Sequence, residues 1–198
     1  MKLNELTGIK NYPKLPKSKE DTIGDDRKLY DKIRELLKEK GFKYISEGAY
    51  GITFKGKNSV LKVFKNDAAY EHYVSLLKII PNEYKQFVPK LTSVRNYPKN
   101  PDIKFVKIEL LKEINLPKIH FNQISKLFYQ KEKFKNKEEL FNLGFTKEEE
   151  NFLNLFPIDF INFVVWLNQN KKDHYFDLTN KNIMARNNTP VVIDPFVD

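Results

Sequence analysis

The chain contains no cysteine. That excludes disulfides, thiolate catalysis and cysteine-built zinc sites. Its three histidines, His72, His120 and His174, are scattered without the spacing of metal ligands. Arginine is scarce: Arg27, Arg34, Arg95 and Arg186 are the whole set, so the net charge of +9 rests on lysine. Readers of DNA bases lean on arginine for bidentate contacts to guanine, and a lysine-weighted balance argues against base readout. A basic surface attracts nucleic acid, membranes or acidic proteins in general. The ordinary reading is a solvated lysine-rich surface, with nucleic acid not expected as a partner. No stretch reaches the roughly 18–20 apolar residues of a membrane span, and residues 1–6 carry no apolar run of a signal peptide. The expectation is a soluble, cytoplasmic protein with no membrane partner. Gly-x-Ser-x-Gly and His-Glu-x-x-His are both absent, which leaves the common hydrolase readings unsupported.

What is present is enough for a core. The 198 residues are 40% hydrophobic and include 16 phenylalanines, which suits one domain of two lobes. Residues 1–25 mix Pro13, Pro16, lysines and acids and read as an arm. Asp25 or Asp26 is placed to cap a helix to about Lys40, with Leu29, Ile33, Leu36 and Leu37 as its apolar stripe and Gly41 as its stop. Residues 43–56 read as strand, glycine turn, strand. Gly48 and Gly51 permit backbone conformations closed to other residues, and the N–H groups of such a turn can cradle phosphate oxygens. A tight turn at Gly56-Lys57-Asn58 leads into the strand of residues 59–64, where alternation puts Lys62 on the face opposite Leu61 and Val63. Residues 67–77 read as a helix ended by Pro81. A polar connection over 82–103 holds a strand near residues 91–94, and residues 105–111 form another strand candidate.

From Pro117 the pattern turns helical, with Ile119, Phe121, Ile124, Leu127 and Phe128 at helical spacing. A helix over 138–143 follows. Thr146 with Glu149 forms a capping box for a helix to Leu155, and Pro157 suits the first turn of the next helix. Sheet first, helices second, with acidic residues on the loops, gives an α+β protein with its cleft between lobes.

The last quarter carries the chemistry. Asp177 and Asn182 lie on one loop, and Asp194 closes an apolar strand after it. An aspartate at the end of a buried strand is costly unless its charge is compensated. Mg²⁺ would do that, because it takes hard oxygen ligands from one or two protein groups and otherwise from substrate phosphates. Asn182 and Asp194 supply such oxygens, which leaves Asp177 to act on a hydroxyl.

Asp177-Leu178-x-x-x-Asn182, a short hairpin, then Ile193-Asp194 resembles the catalytic loop and metal-binding aspartate of the protein-kinase-like superfamily. The short spacing resembles the compact protein kinases of tailed bacteriophages. The stretch from Lys43 to Gly56 is similar to the kinase glycine-rich loop, with Ser46 where its first glycine is expected. The resemblance implies a bilobal fold: a small β-sheet lobe with a helix over 26–112, and a mostly helical, truncated C-lobe over 113–198. It implies ATP and Mg²⁺ as cofactors. Lys62 would hold the α- and β-phosphates with Glu71 orienting it, and Ser46, Gly48, Ala49, Tyr50 and Gly51 would cover the nucleotide. Ile45, Thr53, Val60, Met184 and Ile193 would line the adenine pocket, Ile108 would gate it, and the backbone of Glu109 and Leu111 would bond the base. Asn182 and Asp194 would bind metal, and Asp177 would accept the hydroxyl proton.

This sequence departs from the kinase pattern in ways that bear on the acceptor. Phe176 replaces the arginine that commonly precedes the catalytic aspartate, which argues against control by a phosphorylated activation loop. Thr179 stands where many serine/threonine kinases carry a phosphate-contacting lysine, although Lys181 is near. Pro195-Phe196 replaces Phe-Gly after the metal aspartate, and only four residues follow Asp194. The expectation is therefore a phosphotransferase without the usual peptide platform. Our first reading is a small phage-type serine/threonine kinase acting on unidentified host proteins in the host cytoplasm. The alternatives are a small-molecule kinase of the aminoglycoside phosphotransferase type and a pseudokinase that binds a host protein.

Overall fold

The computed structural model describes residues 23–47, 50–97, 100–117 and 120–197. The chain divides into two compact units. One comprises residues up to Asp67 together with Lys90–Leu110, and the other Ala68–Pro89 together with Leu111–Asp198.

The first unit is an antiparallel sheet covered on one face by a helix. Helix α1 spans Ile23–Glu39. Strands β1 (Lys43–Glu47), β2 (Gly51–Lys55), β3 (Ser59–Lys65), β4 (Leu91–Tyr97) and β5 (Asn100–Glu109) form a five-stranded sheet of order β1-β2-β3-β5-β4. Strand alternation sends every second side chain toward α1. Leu29, Ile33 and Leu37 of α1 thus share one buried cluster with Ile52, Phe54, Leu61, Val63, Tyr97, Ile103 and Phe105 of the sheet. Gly41, with φ of +82°, ends the helix in a conformation that favours glycine. Its N–H bonds the Lys38 carbonyl, and that of Phe42 the Leu37 carbonyl.

The expected cap at Asp25 or Asp26 is corrected: the helix already runs at Ile23, so both aspartates lie within its first turn. The arm expected over 1–25 lies almost wholly outside the described residues. The polar connection expected over 82–103 is also corrected, since Asn82–Phe87 form a 3₁₀ turn and β4 with β5 makes a long hairpin.

The second unit gathers helix α2 (Ala68–Leu76), the Asn82–Phe87 turn, the short strand β6 (Lys112–Glu113), helices α3 (Lys137–Phe141), α4 (Lys147–Asn154) and α5 (Ile158–Gln169), and strands β7 (Tyr175–Phe176), β8 (Ile183–Arg186), β9 (Thr189–Val192) and β10 (Phe196–Val197). The capping box stands: Glu149 N–H donates to Thr146 Oγ1 at 3.2 Å, and Thr146 N–H to Glu149 Oε2 at 2.7 Å. Pro157 is the cap of α5, one residue before its first turn.

The expected helix after Pro117 is corrected. The chain makes two 3₁₀ turns, Phe121–Gln123 and Ser125–Tyr129. The buried residues Phe121, Ile124 and Leu127 recur every third position, the period of the 3₁₀ rather than the α-helix. The core of this unit is aromatic. Phe160 sits among Phe87 (5.4 Å between ring centroids), Phe156 (5.0 Å), Phe121 (5.8 Å) and Phe163 (6.1 Å).

Candidate functional site

In the first unit, pairing places Ser46, Thr53, Lys62, Val106 and Val94 in one row across the sheet. Paired residues share a face, so this row lies on the face away from α1. Lys62 stands at its centre with its side chain 19% exposed, and its Nζ is 3.1 Å from Oδ2 of Asp67. Asp67 is a partner that the sequence reading did not single out. Asn66 just before it takes a left-handed conformation (φ of 54°), turning the chain as it leaves β3. Val60 and Ile108 pair on the same face, one row along.

Gly51 is required for a reason other than the one expected. A Cβ there would lie 2.4 Å from the Val63 carbonyl oxygen and 2.7 Å from Phe64 Cβ. Only glycine lets β2 start this close to β3. The Tyr50 carbonyl accepts from Lys65 N–H at 3.1 Å and from the Tyr30 hydroxyl at 3.0 Å, which ties down the C-terminal side of the glycine turn. Gly48 and Ala49 lie outside the described residues. Ile45, expected in the pocket lining, falls at a β-bulge between Tyr44 and Ser46 and is 48% exposed. Glu109 N–H donates to the Lys90 carbonyl at 3.1 Å.

In the second unit, the backbone collects Asp177, Asn182 and Asp194 at one end of a hairpin. β8 and β9 pair from Ile183↔Val192 to Arg186↔Thr189. They are joined by Asn187-Asn188, both at positive φ, which is the two-residue turn whose twist matches that of the strands. Beyond the pairing, Ile193 N–H donates to the Asn182 carbonyl at 2.9 Å, so residue 182 faces residue 193 and Asp194 follows directly. On the other side Phe176 pairs with Phe196, and Asp177 N–H donates to the Pro195 carbonyl at 2.8 Å. Within the loop, Asn182 Nδ2 donates to the Asp177 carbonyl at 3.0 Å, while Leu178 is fully buried and anchors it. The Asn182 amide nitrogen is thereby committed, which leaves the amide oxygen as its donor to a cation. Asp177, Asn182 and Asp194 are each half-buried. Phe176 packs its ring 4.9 Å from Phe128, an apolar packing role where the kinase pattern has an arginine.

Helix α2 braces this hairpin. The Tyr73 hydroxyl donates to the Val192 carbonyl at 2.6 Å, two residues before Asp194. Burial first, then the neighbouring Tyr70 and the negative charge of Asp194, push the Tyr73 phenol well above its ordinary 10.0. A folded-state value above the unfolded one gives stability that is fully present below pH 10 and is lost as pH rises beyond it. Tyr73→Phe is expected to cost about 1–2 kcal/mol at neutral pH, and the gap between wild type and variant to narrow above pH 10. Urea unfolding at pH 7 and pH 10.5 checks both. His72, also on α2, bonds the Asn170 carbonyl through Nε2 at 2.6 Å. Its neighbour Glu71 is half-buried. Met184 pairs with Glu113 and Val191, and Leu111 is half-buried just before β6.

Asn182 and Asp194 offer oxygen donors of the kind Mg²⁺ prefers, and a site completed by substrate phosphates needs no larger carboxylate set. Among the described residues no group of three or more His, Asp or Glu side chains is arranged to hold a metal by itself. No helix among them is long and apolar enough to cross a membrane.

A further segment reaches this loop. Asn122 Nδ2 donates to Asp177 Oδ1 at 3.5 Å, and Asn180 N–H to Nδ1 of His120 at 3.3 Å. Sequence reasoning missed both, because an asparagine and a histidine 55 or more positions upstream form no spacing pattern with the loop.

No protein-family model matches the chain, and no curated protein does. Among solved structures it is similar to aminoglycoside phosphotransferase APH(2'')-Ib in its ADP-bound form, at 16% identity and a TM-score of 0.38, covering 87% of this chain and 72% of that one. It is also similar to APH(2'')-IIa in its ternary complex with streptomycin and ATP, at 17% identity and a TM-score of 0.34, with the same coverage. Both of these solved structures are aminoglycoside phosphotransferases, enzymes of the protein-kinase-like superfamily.

Proposed function

We propose that the protein is an ATP- and Mg²⁺-dependent phosphotransferase. What supports the reading is the backbone frame that sets Asp177, Asn182 and Asp194 on adjoining segments, through Ile193 N–H to the Asn182 carbonyl (2.9 Å) and Asp177 N–H to the Pro195 carbonyl (2.8 Å). Its carboxylates and amide are the groups phosphoryl transfer requires, since catalysis there is mostly positioning and charge stabilisation. In this reading Mg²⁺ bound by Asn182 and Asp194 supplies neutralising charge for the phosphates. Asp177 orients the acceptor hydroxyl and accepts its proton. Lys62 binds the α- and β-phosphates, Ser46, Tyr50 and Gly51 cover the nucleotide, and Val60 and Glu109 hold the base.

The acceptor we assign is a serine or threonine hydroxyl of a protein. A cationic acceptor such as an aminoglycoside calls for acidic surroundings, whereas Lys171, Lys172 and Lys181 flank Asp177 along the chain and the net charge is +9.

The test is incubation with Mg²⁺ and γ-labelled ATP, with and without bacterial lysate, beside Asp194→Asn. Label on lysate proteins that vanishes in the variant is the expected result. Label on an aminoglycoside and on no protein would reassign the acceptor. Lys62→Met is expected to weaken ATP binding by about tenfold or more, from loss of charge-assisted bonds to phosphate, as read by calorimetry. Unchanged affinity would remove Lys62 from the site.

A further inference from the structure

We propose that Asn122 is a positioning residue for Asp177: it holds one carboxylate oxygen so that the other meets the acceptor hydroxyl. The proposal rests on the phosphotransferase reading above.

In His120-Phe121-Asn122-Gln123 the middle aromatic points into the core. Phe121 is 0% exposed, its ring 5.0 Å from Phe152, 4.9 Å from Phe156 and 5.8 Å from Phe160. The turn is closed on itself by two bonds. His120 N–H donates to Gln123 Oε1, and Gln123 N–H to the His120 carbonyl, both at 3.0 Å. Its two polar members then engage the loop of Asp177: Nδ1 of His120 accepts from Asn180 N–H, and Asn122 Nδ2 donates to Asp177 Oδ1. Asn180 Nδ2 also donates to the Pro117 carbonyl. Three links therefore join residues 117–122 to residues 177–180, and the turn that makes two of them is fixed by a buried ring.

The chemistry suits a carboxylate that works on a hydroxyl. An ionised carboxylate presents two oxygens and only accepts. A donor on Oδ1 fixes its rotation and leaves Oδ2 for the acceptor. The donor is a neutral amide, so it orients the group without the strong ion pair that a lysine or arginine would form. At 3.5 Å the bond is long, as catalytic hydrogen bonds often are before substrate arrives. The Asn122 side chain is exposed and gives nothing to the core, so its replacement is a clean test.

The experiment uses the full chain with Mg²⁺ and γ-labelled ATP, reading phosphate release to water and transfer to lysate proteins. Asn122→Ala is expected to lower kcat about tenfold, with KM for ATP and the melting temperature unchanged. Asn122→Asp, which sets two carboxylates together, is expected to fall further. Asn122→Gln, which keeps an amide donor, is expected to recover most of the rate. Wild-type kcat in Asn122→Ala would overturn the proposal and leave the phosphotransferase reading standing. So would a loss that tracks a lowered melting temperature, or no recovery with Gln. A wild-type protein that ATP stabilises but that transfers no phosphate would also overturn it, and one that ATP neither stabilises nor reacts with would remove the phosphotransferase reading as well.

Discussion

Asp177→Asn is expected to lower phosphoryl transfer by about 10²- to 10⁴-fold, the range of a lost general base, while Mg²⁺-ATP still stabilises the protein. The loop does not depend on the carboxylate for its shape. Asp177 is held by its own backbone, with the N–H on the Pro195 carbonyl and the carbonyl accepting from Thr179 N–H and from Asn182 Nδ2. Asparagine keeps all three bonds and nearly the same volume. What it removes is the carboxylate that the proposed function makes the proton acceptor. Asp194→Asn should behave differently, because it takes a negative charge from the pair of residues proposed to hold Mg²⁺. Its defect should appear as a raised Mg²⁺ requirement together with lost transfer. Thermal melting against Mg²⁺ concentration, with and without ATP, separates the two variants. Full turnover in Asp177→Asn would end its assignment as the base.

Phe160→Ala is expected to destabilise the second unit by about 3–5 kcal/mol, the range for deleting a buried phenylalanine. The ring is fully buried and meets four other phenylalanines, one of which is the Phe121 that seats the turn beside Asp177. Such a void cannot close without moving those rings, so little of the cost is recovered by relaxation. Trp166 is the one tryptophan of the chain, and it stacks on Phe163 with centroids 6.4 Å apart. Its fluorescence in a urea titration therefore reports this unit. Leu155→Ala serves as the control: that side chain is exposed, and a change within about 0.5 kcal/mol is expected. A cost under about 1 kcal/mol for Phe160→Ala would mean that the aromatic cluster is not the core of its unit.

The parts of this structure that were legible in the sequence are those with a local cause. Lys62 could be placed by strand alternation alone, and the flanking Leu61 and Val63 are indeed fully buried. Thr146 and Glu149 could be paired because a capping box has a fixed spacing. The mixed α+β class, sheet before helices, followed from the order of the two periodicities. The spacing of Asp177, Asn182 and Asp194 marked the hairpin that brings their segments together.

What was missed depends on contacts across the chain or on small differences in period. Phe121, Ile124 and Leu127 are consistent with an α-helix until it is known that the residues between them do not share the buried face. Asp67 reads as the start of a helix, and nothing in Lys62-x-x-x-x-Asp67 announces an ion pair before the left-handed Asn66 is seen. The need for Gly51 was legible as a glycine but not as a packing constraint, since its obstacle is the neighbouring strand. Asn122 carried no signal at all.

The Lys62–Asp67 pair has a consequence for how an anion would be received. The ammonium group is partly buried and already has a carboxylate 3.1 Å away. An arriving phosphate does not meet a bare cation; it competes with an anion tethered five residues along the same chain. Binding at Lys62 is then an exchange of partners, and a singly charged anion gains little by it. A polyphosphate, with more charge to offer and further groups to hold it, has the advantage. Were Lys62 to hold phosphates as proposed, Asp67 would act as a built-in competitor that sorts ligands by charge.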